Sequence, residues 1–432
     1  MLFHSYPDPS AGQKRALMAP LAFDNVEPSW PTDTEVVRWR LFGDELIQTN
    51  VSSQRERHWN LTRNRELEIG EGQLRREILR LHGEATTRFT LIIQPDQWTL
   101  YPAMRKQLPA YRIELNDGRV WYVSQQTGQT IQYATRSQRL WAWLGLIPHW
   151  LYPRVLVQYR QAWRYVILVI ATIGMVTMAT GLLVGLRSLR QRRSPFASAT
   201  LRIHHWLGLG FGVVTWTWLF SGALSLNPFH WSSGTSVANL EMTTIASVPS
   251  SVELVTTPMM ALAQCNASGL VIRELELRIM AGSPAYFCHH DDGTRVLPAN
   301  GEHVESNSDV VTSKLQQLGL TAVSVHRVTQ SDGYFYSSLH GGLVGDAFRA
   351  ELDDGRTLYL SAHDGQPLAC YGDSAKAERW LYHGLHSFDV SWLRSRQWLR
   401  LSLMLLLLTG GLMLCATGIV GFARWANRSK ER

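Results

Sequence analysis

The sequence predicts an α+β membrane protein in which a bundle of long apolar helices carries small modules of helix and strand. Three observations lead there. Residues 165–186, 206–229 and 401–423 contain no Asp, Glu, Lys or Arg, and at about 1.5 Å of rise per residue each covers the roughly 30 Å hydrocarbon core of a bilayer. Elsewhere the chain shifts to short runs of alternating polarity separated by Asp-Gly turns, the pattern of half-buried strands. The third observation is a repeat. RIELNDGRVWYVSQQTGQTI, residues 112–131, aligns with RAELDDGRTLYLSAHDGQPL, residues 349–368, and ten of the twenty positions are identical.

The 432 residues suffice for two or more domains, and the net charge of +7 sits largely beside the apolar stretches. Arg187, Arg190, Arg192, Arg193 and Arg202 share a loop with no acidic residue, and Arg424, Arg428, Lys430 and Arg432 end the chain. Short loops rich in Lys and Arg stay in the cytoplasm during insertion. The expected order is therefore an exported region 1–163, a transmembrane helix 164–186, a cytoplasmic Arg-rich loop 187–203, a second helix 204–229, an exported region 230–398, a third helix 399–423 and a cytoplasmic tail 424–432. This charge pattern is a topology signal and argues for no nucleic-acid partner. Residues 1–30 carry no signal peptide, because the apolar run 17–23 is short and broken by Pro20. A fourth, N-terminal helix is thus expected to be missing, supplied by an earlier start or by a partner.

Within the second exported region, 257–268 has helical spacing, 271–279 alternates as a strand, and 285–290 and 294–297 flank an Asp291-Asp292-Gly293 turn. The order recurs as a helix at 308–318, strands at 321–328 and 334–338, and a hairpin over 348–361 that turns at Asp353-Asp354-Gly355. A weaker version runs from a helix at 72–83 to strands at 87–93, 98–101 and 111–123. Cys265 and Cys288 are expected to pair in an oxidising compartment, leaving Cys370 odd and Cys415 inside an apolar stretch. Cys288-His289-His290-Asp291-Asp292 reads as a strand and turn rather than a metal site.

The repeat continues past the strands. At the same offset Trp143 falls on Trp380, His149 on His386, and residues 174–181 on 411–418. A duplicated unit that keeps a histidine beside an apolar helix suggests a symmetric pair of ligands. Neutral imidazole at a helix end among aromatic residues is suited to axial ligation of haem iron, and the porphyrin needs a dry, flat slot. Gly181, Gly185, Gly208, Gly212, Gly411 and Gly418 lie on close-packing helix faces that provide one or simply let helices approach. An approximate two-fold axis would set His149 and His386 on opposite sides of one haem b near the outer face. The competing reading leaves both as interfacial histidines in an aromatic belt of Trp141, Trp143, Trp150, Tyr152, Trp380 and Tyr382. His204 stands at the other end of its helix and would serve a second haem b, whose partner ligand belongs to the missing helix. His205, His383 and His230 are subsidiary candidates. His205 suits a headgroup contact, His383 aligns with Leu146 and lines the outer site or replaces His386, and His230 lies near the same level.

His204-His205-Trp206-Leu207-Gly208-Leu209 opening one apolar stretch, Arg379-Trp380-Leu381-Tyr382-His383-Gly384-Leu385-His386-Ser387-Phe388-Asp389 before another, and strand pairs ending in Asp-Gly-Arg or Thr-Gly-Gln resemble the PepSY-associated transmembrane proteins. That family includes iron-regulated inner-membrane proteins and ferrisiderophore reductases, and the resemblance covers nearly the whole chain. Its members carry four helices, the first opening on the same His-x-Trp motif, so this sequence departs from the pattern there.

The resemblance implies PepSY-like modules, two of them in 230–398, on a bacterial inner membrane. Two functions follow. In one, a b-type haem protein with one or two haems takes electrons from quinol or an inner-side donor and reduces a ferric siderophore or other ferric chelate outside. Trp98, Tyr101, Tyr334 and Tyr336 are candidate chelate contacts. In the other, the modules bind peptide or protein as a sensor or protease regulator, and the helices anchor them in lipid. No catalytic residue is identified, and the sequence has no phosphate loop and no flavin or nicotinamide fingerprint.

Overall fold

The computed structural model describes residues 7, 9–23, 26–52, 55–83, 88–190, 196, 198–235, 248–249, 254–280, 283–300, 308–317, 319–329, 332–335, 346–362 and 367–430. The fold is mixed α/β. Three helices are long and apolar enough to cross a membrane: α7 (Arg160–Arg190), α8 (Ala199–Leu224) and α14 (Gln397–Lys430). Helix α8 packs against both of the others. Small residues let it approach: a Cβ on Gly212 would lie 2.9 Å from Leu182 of α7, and one on Gly410 of α14 would strike the Phe211 ring. The sequence places residues 225–229 in this helix, but it stops at Leu224. Asn227 is left-handed at φ 50°, Pro228 follows, and Arg164 of α7 donates to the Leu226 and Asn227 carbonyls, so the freed acceptors are satisfied by a neighbour.

A seven-stranded antiparallel sheet joins distant parts of the chain. Its strands are β1 (Val36–Phe42), β2 (Glu45–Ser52), β3 (Arg55–Asn60), β4 (Arg65–Glu66), β9 (Ile272–Met280), β10 (Ser283–His290) and β11 (Gly293–Pro298), in the order β11-β10-β9-β1-β2-β3-β4. Strands β2 and β3 recur as β10 and β11 at one constant offset, 45–52 against 283–290 and 55–60 against 293–298. The sheet is therefore two copies of one meander joined through β1 and β9. Arg38 faces Glu276 at the centre of that join, 2.6 Å apart, so a pseudo-two-fold axis runs through an ion pair. Joining the first strands of both meanders removes two open edges. This sheet therefore takes strands from both 1–163 and 230–398.

One face of this sheet buries Val37, Trp39, Leu275, Leu277 and Tyr286 with Leu21, Phe23, Trp30 and the helix α9 (Pro258–Ala267). The expected disulfide is present, Cys265 of α9 to Cys288 of β10. The other face carries Arg38, Arg40, Glu274, Glu276, Arg278 and His289.

Two smaller antiparallel sheets share one plan. The first is β5 (Arg88–Ile92), β6 (Ala110–Glu114), β7 (Val120–Ser124) and β8 (Thr130–Ala134), after α2 (Glu71–His82). The second is β12 (Ala322–Val328), β13 (Ala347–Leu352), β14 (Thr357–Ser361) and β15 (Pro367–Tyr371), after α10 (Ser308–Gln317). The repeated Asp-Gly-Arg is the β6-β7 and β13-β14 turn. Gly118 and Gly355 take φ 79° and 82°, where a side chain is strained, and Asp117 and Asp354 accept the amides of Arg119 and Arg356.

Residues 98–101, expected as a strand, form a turn instead, because the Asp96 carboxylate takes the Trp98 amide and the Thr99 hydroxyl. Tyr334 and Phe335 likewise bend around the Asp332 carboxylate, and 336–338 lie outside the described residues.

Candidate functional site

From the last strand of each small sheet the chain runs the same course to a long helix. In the first copy it passes α4 (Arg136–Leu144), α5 (Leu146–His149) and α6 (Arg154–Val157) into α7. In the second it passes α11 (Asp373–Glu378), a π-helical turn over Arg379–Gly384, α12 (Leu385–Ser387) and α13 (Ser391–Arg394) into α14. Arg154 opens α6 where Ser391 opens α13, and Arg160 opens α7 where Gln397 opens α14, both at the offset of the sequence repeat.

Two residues after each paired histidine the backbone turns left-handed at a bulky side chain, Leu151 at φ 47° and Phe388 at φ 50°. Such a conformation costs on the order of 1–3 kcal/mol and persists where its surroundings fix it. Here they do. Gln97 donates to the Tyr152 carbonyl at 2.9 Å and accepts from the Arg154 amide at 2.7 Å, while Arg379 donates to the Asp389 carbonyl at 2.7 Å. Each reversal follows directly on its histidine and sets where that side chain can point.

The two rings meet. The centroids of His149 and His386 are 5.9 Å apart with planes at 55°. Two imidazoles on opposite sides of one metal, each bound through a nitrogen at about 2.0–2.1 Å, would have centroids roughly 6.4 Å apart, a spacing close to this one. The Tyr382 ring lies 5.4 Å from His386, and a Cβ on Gly222 of α8 would lie 3.7 Å from the same imidazole.

The hydrogen bonds assign a tautomer to His386. The Ser221 hydroxyl lies 2.7 Å from the Thr217 carbonyl and 3.0 Å from His386 Nδ1, and with its proton on Thr217 it accepts from Nδ1. Nε2 is left with its lone pair, the form a metal ligand needs. Burial, and next the neighbouring His149, push His386 down to about 4, and burial also lowers His149. Both imidazoles are neutral at pH 7. They differ in support: Ser221 meets the His386 ring, whereas the His149 ring makes no hydrogen bond among the described residues.

The other candidates are dispersed. His204, near the start of α8, places Nδ1 3.1 Å from the Leu414 carbonyl of α14. A carbonyl only accepts, so Nδ1 holds the proton and Nε2 is the free donor atom, the same arrangement as His386. A Cβ on Gly418 would lie 3.2 Å from this ring. His204 and Ser221 stand near opposite ends of one helix, about 25 Å apart at 1.5 Å per residue, which separates two sites. His205 is buried against Phe196 and Trp206 and faces α7 at Gly185, so it is a packing residue rather than a headgroup contact. His383 lies beside Tyr382, with ring centroids 4.8 Å apart and planes tilted by 52°, and His230 sits exposed in a short turn after α8. Of the glycines proposed to form a slot, Gly181 has open space above it, while Gly185, Gly208, Gly212 and Gly411 meet side chains of a neighbouring helix.

One further group has metal-donor spacing among the described residues: Glu274, Glu276 and His289 lie within 4.8 Å of one another. Glu276 already bonds Arg38 at 2.6 Å and Arg278 at 3.2 Å, and Arg40 and Arg15 add positive charge near Glu274. Four guanidiniums around two carboxylates oppose a cation, so this is an ion-pair network.

Sequence reasoning missed Ser221, because a serine in an apolar stretch carries no pattern. It also missed Leu151 and Phe388, whose left-handed backbone no residue type announces. No family model, curated protein or solved structure matches this chain.

Proposed function

We propose that the protein is a membrane b-type haem protein that passes electrons across the bilayer to a ferric chelate, a haem-dependent oxidoreductase of the ferrisiderophore reductase kind. The observation that carries the reading is the pair His149 and His386, 5.9 Å apart across a duplicated backbone. In this reading α7, α8 and α14 cross a bacterial inner membrane, the Arg-rich 187–203 loop and the C-terminus are cytoplasmic, and the sheets are exported. The helix-and-strand units serve as PepSY-like modules, two of them in 230–398 and one in 1–163.

The residues fit a bis-imidazole cofactor: two neutral rings, one hydrogen-bonded to Ser221 and packed beside Gly222. Bound haem would supply a one-electron carrier in a low-dielectric slot. Ser221 holds His386 in place, and the Leu151 and Phe388 turns fix the backbone beside both rings. His204, fixed by the Leu414 carbonyl, is the candidate for a second haem at the other end of α8.

One electron from quinol or an inner-side donor converts Fe(III) in the chelate to Fe(II). Oxygen-rich chelators hold this softer, less charged ion poorly, so reduction releases it. Trp98 is buried, which removes it from the candidate chelate contacts; Tyr101 and Tyr334 stay partly accessible, and Tyr336 lies outside the described residues.

Absorption of the purified full-length protein tests the reading. Protein from haem-replete cells is expected to show a Soret band that weakens strongly in His386→Ala and in His149→Ala. A colourless protein overturns it and favours the alternative, a membrane-anchored peptide-binding sensor.

A further inference from the structure

The segments that lead into α7 and α14 expose large apolar side chains instead of burying them. In the last turn of α4, Leu140, Trp141, Trp143 and Leu144 all face outward, Leu144 with 65% of its surface exposed, while Ala142 alone points into the core. The chain then presents Val155 at 65% and Leu156 in α6, and Tyr159 just before α7. The second copy does the same with Trp380, Leu381 and Leu385, with Trp392 of α13 and with Trp398 at 71% in the first turn of α14. In water such a set is costly, about 25 cal/mol for each Å² of apolar surface left wet, and soluble surfaces rarely keep large apolar patches without a partner.

We propose that these side chains form a collar that seats the sheet-bearing part of the protein in the adjacent lipid leaflet, with the partner being the glycerophospholipid of the bilayer that α7, α8 and α14 cross. Two features select lipid over a protein partner. The surface is continuous with the long helices, since α6 packs on α7 and α13 on α14, and the exposed apolar face carries on through Tyr165 and Val166. Its composition is that of a membrane interface, Trp and Tyr among exposed arginines, with Arg154 and Arg160 in the first copy and Arg396 in the second placed to meet phosphates. His149 and His386 follow α4 and the π-helical turn within a few residues, so the collar also holds the histidine pair at headgroup level. The inference rests on the three helices crossing a bilayer and is independent of the haem reading.

Nitroxide labels test it on the full chain in phosphatidylethanolamine and phosphatidylglycerol nanodiscs, with Cys370→Ser and Cys415→Ser as background. Labels at Trp143→Cys and Trp392→Cys are expected to relax several-fold more with oxygen than with a water-soluble nickel chelate, relative to a label at Asp354→Cys in the exposed β13-β14 turn. Leu144→Cys and Val155→Cys replace either tryptophan site if that variant does not fold. Nickel access equal to that at 354 overturns the collar, and so does shielding from both reagents, which marks a second copy or another protein on the surface. A label at Val176→Cys, in the middle of α7, reports on membrane crossing itself and separates failure of the collar from failure of that premise.

Discussion

The two copies of the repeat follow one backbone path but do not support their histidines equally. Both have the four-stranded sheet, the Asp-Gly-Arg turn, the left-handed residue two places after the histidine and a long helix that starts at the same point of the repeat. Yet His386 is oriented by Ser221, whereas no side chain holds the His149 ring among the described residues. The difference comes from α8, which touches the second histidine through Ser221 and Gly222. The repeat thus supplies the symmetry of the pair, and contact with α8 supplies its chemical asymmetry.

The strongest way to break the comparison is at the join between the meanders. Trp39 of β1 is fully buried, donates to Gln48 at 2.8 Å and packs against Phe23 and Trp30 at 6.0 and 5.6 Å. Leu277 of β9, its counterpart in the second meander, is equally buried. Trp39→Ala is expected to cost about 3–5 kcal/mol and Leu277→Ala about 2–5 kcal/mol. Because one sheet unites both copies, either change should destabilise the strands of both, measured by hydrogen exchange at β2 and at β10. Loss of protection confined to the mutated copy would show two independently folding halves.

Much of this architecture was legible in the sequence. The long helices, the disulfide, α9, α10 and most strands of the second copy follow from uncharged length, alternation and turn chemistry. The β1-β3 meander was not, because its charged face is internal: Arg40 is 3% exposed and Arg38 pairs with Glu276. Alternation of Arg38 and Arg40 with Val37 and Trp39 looks like a solvent-facing strand until a second meander covers its edge. At the site, the repeat pointed to His149 and His386, but their distance was not in it. That depends on α8 and on two strained turns.

Ser221 sharpens the comparison by removing the asymmetry. Ser221→Ala leaves the fold of both copies intact and frees the His386 ring to resemble His149. Outer-shell partners of metal-bound histidine typically alter metal affinity by about 10–100-fold when removed. Within the proposed function, haem retention should fall by that order in Ser221→Ala and recover in Ser221→Thr, read from the Soret absorbance per protein after dialysis. Equal retention in all three would mean that α8 does not orient the ligand.

The smallest effect compares the two wings of the seven-stranded sheet by pH. His289 of β10 is pushed down to about 4, first by burial; Glu276 opposes the shift, and Arg15, Arg278 and Arg38 add to it. Glu274 also lies beside it, and Nδ1 meets Thr294 of β11 at 2.7 Å. His58 of β3, on the opposite wing, is lowered in the same direction by burial, with Glu56 resisting. A histidine held neutral when folded contributes stability that is fully present above its unfolded pKa of about 6.5 and is lost as pH falls toward the folded value. Between pH 7 and 5 the unfolded chain binds the proton that the folded His289 refuses, which lowers stability by about 1–2 kcal/mol once partial exposure is allowed for. His289→Gln should flatten urea midpoints across that window more than His58→Gln does. An unchanged pH slope in His289→Gln would mean that the second wing opens to water around this ring.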